Sequence, residues 1–369
     1  MNPSTPTHSA GSIGSANSTS AILPASAEVL ERSSSNIVRL RRHRRLRTAP
    51  SVPPMTSNAL EAQSHVTNVN GSPIAWVELG KGPPLMLLHG LGDSNRSWRL
   101  AAPLLAKHFR VLMPDLPGHG LSGRPDAPYT LAWYADTLLA WMDAIGIDDT
   151  HLCGHSFGGG IAQWMVLADA SRVRTLSLVA AGGLGRDVAM GLRLTAFPVL
   201  GRLLTPAFMA VGTWAMMRQA TGTSFRHEQS EIDRAIWLNR APGTGRAFHR
   251  TVVGCVDLLG QHKQTWQRIG EVPVLPPTCV FWGEDDKIIP LRHCRTARER
   301  MRGIRVRTYP KCGHFMHLEV AEKFSRDLRD FLQSPPPSPQ LQDAKDSRGS
   351  VALGDRFADF ARRWVTQVA

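Results

Sequence analysis

Between residues 64 and 332 short apolar runs alternate with segments of helical period. SHVTNVNGSPIAWVEL, starting at Ser64, holds two alternating runs about Asn70-Gly71, a dipeptide suited to a tight hairpin because both positions tolerate positive φ. Six further runs follow: PLMLLHG ending at Gly90, RVLMPDL (110–116), THLCGH (150–155), VRTLSLVAA (173–181), TCVFWG (278–283) and IRVRTYP (304–310). Rich in Val, Leu and Ile, they predict central strands buried on both faces. Helical periodicity occupies about 98–107, 131–145, 157–168, 291–301 and 318–332. Strand and helix in alternation build a mostly parallel central sheet flanked by helices, an α/β fold.

One interval breaks the rhythm. Residues 184–276 are helical and apolar, punctuated by Pro198, Pro206 and Pro242, where a minimal crossover needs only one helix. They predict a helical cap inserted between two halves of a core, 64–183 and 277–332. Residues 1–60 are polar and of low complexity, which predicts a disordered basic arm, and Met55 is an alternative start. Residues 333–369 give a Pro/Ser linker and a short amphipathic C-terminal helix.

Composition changes this picture little. The net charge of +13 suggests nucleic acid or membrane only if it is concentrated on a folded patch. Seven arginines against two acids in residues 1–55 place +5 of it in the arm, and no nucleic-acid partner is expected for the core. Five scattered cysteines without C-x-x-C spacing argue against structural zinc and for a reducing compartment. With no apolar leader and no stretch long enough to span a bilayer, a cytoplasmic protein needing neither metal nor cofactor is the expectation. Oligomeric state is not legible.

The chemistry lies in LCGHSFGGG, residues 152–160. Gly154-His155-Ser156-Phe157-Gly158 fits G-x-S-x-G between an apolar strand and a helix, a turn that lifts the serine off the sheet and requires small residues two positions to either side. The alternative is a glycine-rich turn with an incidental serine. His155 is not a suitable base, because neighbouring side chains at such a turn diverge. Candidates lie downstream: VFWGEDDKIIP (280–290) closes one strand with three acids, and YPKCGHFMHLE (309–319) closes the next with histidines. The order Ser, Asp, His suits a nucleophile on an elbow with its partners on later strand-end loops.

These motifs, with HGLGDSNRSWR (89–99) and PDLPGHGLS (114–122), resemble the α/β-hydrolase superfamily over roughly residues 64–332. The resemblance implies Ser156 as nucleophile, Asp286 rather than Asp285 as triad acid, His314 rather than His317 as base, and the backbone N–H groups of Leu91 and Phe157 as oxyanion hole. It gives His89 a bracing role and assigns Asp115, Gly118, Gly120 and Ser122 no chemistry. The implied activity is cleavage of a carboxylic ester or related acyl bond through an acyl-enzyme. Serine at position 156 disfavours dehalogenase and epoxide hydrolase chemistry, which use an aspartate there. Carbon-carbon hydrolases of dienone acids are the alternative, although Leu91-Gly92-Asp93-Ser94 replaces their G-P-G-A-like run. A non-catalytic ligand-binding protein of the same fold is a third. Trp214, Trp237, Trp266, Phe208, Met209, Met216 and Met217 in the cap suggest an apolar small-molecule substrate, and Arg218, Arg234 or Arg240 are candidates for a substrate carboxylate.

Overall fold

The computed structural model describes residues 62–221, 225–263, 265, 268, 271, 272, 274–338, 340 and 341. The expected basic arm, the C-terminal helix and Trp266 lie outside them.

Strands β1 (Gln63–Val69) and β2 (Ser72–Leu79) form the hairpin, with Val69 opposite Ser72 and φ of 50° at Asn70 and 79° at Gly71. β3 (Pro84–Leu88), β4 (Arg110–Pro114), β5 (Thr150–His155) and β6 (Val173–Val179) follow. The short ribbon β7 (Val256–Asp257) and β8 (Gly260–Gln261) precedes β9 (Thr278–Gly283), and β10 (Met301–Arg302) precedes β11 (Arg305–Tyr309) and β12 (Gln340–Leu341). Eight of these make one sheet in the order β1-β2-β4-β3-β5-β6-β9-β11, parallel from β4 to β11 and antiparallel at β1 and β2.

The central strands are buried on both faces as their apolar runs require. Leu85, Met86, Leu87 and Leu88 are all inaccessible to solvent, and each such burial stabilises the fold by about 1.5–3 kcal/mol. β11 departs from the expectation. It is the edge strand, so Arg307 and Thr308 face solvent and only Tyr309 is buried.

The helices are α1 (Ala102–Leu105), α2 (Leu131–Ala144), α3 (Phe157–Ala168), α4 (Met190–Thr195), α5 (Pro198–Gln219), α6 (Gln229–Asn239), α7 (Thr244–Cys255), α8 (Arg292–Arg300), α9 (Met316–Glu319) and α10 (Ala321–Gln333). Thr130 caps α2 by accepting the N–H of Trp133. Helical periodicity over 98–107 yields only α1, because Pro103 fixes the helix start. Pro206, by contrast, does not break α5, which runs 22 residues through it.

Helices α4 to α7 leave the core after β6 and return at β9, although Leu176 of β6 pairs directly with Thr278 of β9. The helical insert therefore adds no strand to the main sheet, and it sits over the C-terminal ends of the strands where the chemistry-bearing loops gather.

Candidate active site

Ser156 sits where β5 turns into α3, with φ 53° and ψ −116°. A non-glycine residue held there costs about 1–3 kcal/mol and persists only where its surroundings over-determine it. They do so here. The Ser156 N–H donates to Val179 O at 2.9 Å, and its carbonyl accepts from Gly159, Gly160 and Gly182 at 2.9–3.2 Å. The flanking glycines are obligatory by contact: a Cβ on Gly154 falls 2.3 Å from Gly158 O, and one on Gly158 falls 2.5 Å from His89 O.

The loop after β9 brings three acids to the strand end and buries one. Glu284 and Asp285 are exposed, whereas the Asp286 side chain is inaccessible. Asp286 Oδ1 accepts the N–H groups of Ile288 and Ile289 at 2.8 and 2.9 Å, and Oδ2 lies 2.7 Å from His314 Nδ1. Two backbone donors fix the carboxylate, so the imidazole it holds is fixed in turn, with Nε2 on its far side. His314 and Ser156 line one cavity of about 380 Å³ with Gly90, Leu91, Met216 and Phe315. Ser156, Asp286 and His314 are thus gathered from three separate strand ends.

His317 has a different station. Its Nε2 meets Ser97 Oγ at 2.8 Å, and its ring lies 4.5 Å from that of His155. His155 borders the same cavity but is engaged by the backbone: Nε2 donates to the carbonyl of His314 at 2.9 Å. Burial, with His317 and His314 alongside, pushes its pKa well below the ordinary histidine range. It is a neutral strut beneath the His314 loop. His89 braces the neighbouring loop, accepting the Leu116 N–H at Nε2 (2.9 Å) and donating from Nδ1 to Gly90 O (2.8 Å). Asp115 does likewise through the N–H groups of Asn95 and Leu121.

The N–H of Phe157 begins α3 and has no intrahelical acceptor. Among the described residues neither it nor the N–H of Leu91 donates to a protein group. Leu91, Ser156 and Phe157 line a common opening. The insert secures the loop that carries Leu91: Asn239 of α6 donates to Gly92 O at 2.7 Å, and Glu231 of α6 pairs with Arg96.

Residues 85–327 match the model of the Alpha/beta hydrolase family. The chain belongs to that family. It is 30% identical over 279 residues to an uncharacterized protein of Mycobacterium tuberculosis, covering 73% of this chain and 81% of that one. Similarity to the 2-hydroxymuconate semialdehyde hydrolase of Pseudomonas sp. strain CF600 is also 30%, over 294 residues that cover 77% and 96% of the two chains. Among solved structures, Cfl2 from Burkholderia cenocepacia superposes with a TM-score of 0.65 at 23% identity, over 76% of this chain and 97% of its own, which is a likeness of fold.

In this alpha/beta hydrolase a second cavity of about 450 Å³, lined by Arg96, Arg99, Glu231 and Arg234, adjoins the first and shares Asp93, Met216 and Phe315 with it. Of the three arginines singled out from the sequence, Arg234 alone lines it, while Arg218 and Arg240 are exposed. Met216 and Met217 line the cavities, but Phe208, Trp214 and Trp237 are on the outer surface, so the apolar lining is narrower than the composition of the insert suggests. Asp93, whose pKa burial raises to about 6, is named in the sequence only for the run it interrupts, and its place in the cavity wall, like that of Glu231, is not expected there. Both sit among other polar residues, in GDSNRS and QSEIDRAIWLN, so no local signal separates them from solvent-facing charges.

Burial of imidazoles makes stability pH-dependent. His89 is held down to about 4 and His119 to about 3, both by desolvation, against 6.5 for an ordinary histidine. His151, His155, His227, His293 and His317 are lowered for the same reason. The unfolded chain takes up these protons near 6.5 and the folded one does not, so stability is complete above that pH and is lost as pH falls toward 4. A fully buried imidazole of this kind loses about 2 kcal/mol at pH 5. Asp93 and Asp115, raised by burial, act in the opposite sense but are outnumbered. The thermal midpoint is expected to drop by roughly 10 °C or more between about pH 7.5 and 5; a constant or rising midpoint contradicts the assignment of neutral buried imidazoles.

Proposed function

We propose that the protein is a serine hydrolase that cleaves a carboxylic ester or related acyl bond of a small, largely apolar molecule. The observation that carries this reading is the strained Ser156 sharing a cavity with His314, whose Nδ1 is 2.7 Å from the buried Asp286. Ser156 Oγ attacks the carbonyl carbon while His314 Nε2 takes its proton. Asp286 keeps the imidazole proton on Nδ1 and stabilises the imidazolium that forms. The N–H groups of Leu91 and Phe157 receive the oxyanion, each contributing about 3 kcal/mol at the transition state. His314 then protonates the leaving group, and water, deprotonated by the same imidazole, releases the acid.

A second reading has the same residues cleaving a carbon-carbon bond of a dienone acid. Two observations favour it: the similarity to a 2-hydroxymuconate semialdehyde hydrolase over 96% of that chain, and Arg234 in the adjoining cavity, where a carboxylate could be received. Hydrolysis of p-nitrophenyl esters of graded chain length, assayed beside a 2-hydroxy-6-oxo-dienoate, separates the two. The ester reading expects turnover of short and medium acyl chains with kcat/KM at least about tenfold above that for the dienoate. The reverse ranking installs the second reading in its place.

A further inference from the structure

The helical insert has two faces, and only the inner one is accounted for by the site. Thr205, Met209 and Thr213 of α5 are buried against the protein, and Leu192 of α4 and Met216 of α5 line the Ser156 cavity. The opposite face is as apolar as the inner one. Met190 is 62% exposed, Leu194 58%, Leu203 69%, Phe208 57%, Val211 61% and Trp214 44%. A helix apolar on both sides in an aqueous protein calls for a cover.

The charges around this face indicate its nature. From Met190 to Gln219 the chain contains no Asp or Glu, and its charged residues are Arg193, Arg202 and Arg218. Arg202 is exposed, as is Arg218, whose guanidinium lies 5.3 Å over the Trp214 ring, an aromatic-cation pair of the kind suited to a headgroup boundary. A second copy docked face to face would set like charges against each other. An anionic lipid surface complements them, accepting the apolar side chains between headgroups while the arginines meet phosphate. No described helix is long and apolar enough to cross a membrane, and the inner face of α5 is occupied by protein, so contact with such a surface would run along the helix and not through the bilayer. The arm, with seven arginines against two acids in residues 1–55, supplies a second attraction to the same kind of surface.

We propose that the outer face of α4 and α5 docks onto an anionic lipid bilayer, placing the roof of the Ser156 cavity at the membrane boundary. Docking of this face does not depend on which acyl or carbon-carbon bond the site cleaves.

Flotation of the full chain with vesicles of phosphatidylglycerol and phosphatidylcholine, and with vesicles of phosphatidylcholine alone, tests it. The protein is expected to float with the anionic vesicles and more weakly with the neutral ones. The Leu203→Asp/Phe208→Asp variant alters two solvent-facing side chains and should keep its circular dichroism spectrum while its partition coefficient falls by about tenfold or more. Absence of flotation with either vesicle overturns the proposal. So does undiminished binding by the double variant, which places attachment elsewhere, the arm included. Light scattering that shows a dimer which the double variant splits assigns the face to a second copy instead.

Discussion

Replacing Ser156 by Ala is expected to reduce kcat for ester hydrolysis by about 10⁵-fold or more while leaving the fold intact. The oxygen removed is the proposed attacking atom, and among the described residues the cavity offers no hydroxyl in its place: the others that line it are Gly90, Leu91, Asp93, His155, Leu192, Met216, Phe248, Ile288, His314 and Phe315. Residual acceleration over water of about 10³-fold should survive, because the two amides still bind an oxyanion. The backbone bonds that hold position 156 come from main-chain groups, so Ala keeps the strained turn. Steady-state kinetics with a p-nitrophenyl ester, beside a circular dichroism melt, checks both halves. Loss of less than tenfold, in a folded sample, is incompatible with Ser156 as nucleophile.

The second large effect is expected at Asp286→Asn. Oδ1 is committed to the Ile288 and Ile289 N–H groups, so an asparagine must keep its oxygen there and turn its amide NH₂ toward His314. The imidazole then has to present a lone pair at Nδ1 and carry its proton on Nε2, the tautomer that cannot accept the serine proton. A fall in kcat of about 10⁴-fold is expected, with KM little changed. Asp285→Asn, one residue away on the exposed side of the loop, should alter kcat by less than about twofold. Equal losses in the two variants would mean that the loop, and not the Asp286 carboxylate, matters.

The sequence carried the site further than it carried the architecture around it. G-x-S-x-G needs close contact between residues two before and two after the serine, a constraint local enough to leave a spacing signature. In space that constraint is the mere 2.3 Å that would separate a Cβ on Gly154 from the carbonyl oxygen of Gly158. The choice of Asp286 among three consecutive acids came from the family pattern and coincides with burial: it alone of the three is buried. What stayed hidden depends on long-range packing. Arg305, Arg307 and Thr308 set IRVRTYP apart from the apolar central runs and suit a solvated strand, but its place at the edge follows from β11 closing the sheet order. Pro206 looks like a helix end, yet α5 continues through it with Gly245 of α7 packed against the ring. Arg96 and Glu231 meet across 135 positions of sequence, so the polar wall they form beside the cavity has no local trace. The aromatic content of the insert suggested a substrate lining, but side chains on a helix divide between two faces, and Trp214 and Phe208 fell on the outer one.

The central claim is that Ser156 is an activated nucleophile, and covalent labelling reads it without knowledge of the substrate. Incubation of the folded protein with a fluorophosphonate, followed by intact mass measurement and peptide mapping, should give one adduct, located on Ser156, that is absent from Ser156→Ala and slowed by Asp286→Asn. No adduct in a folded sample, or an adduct that persists in Ser156→Ala, would contradict the account.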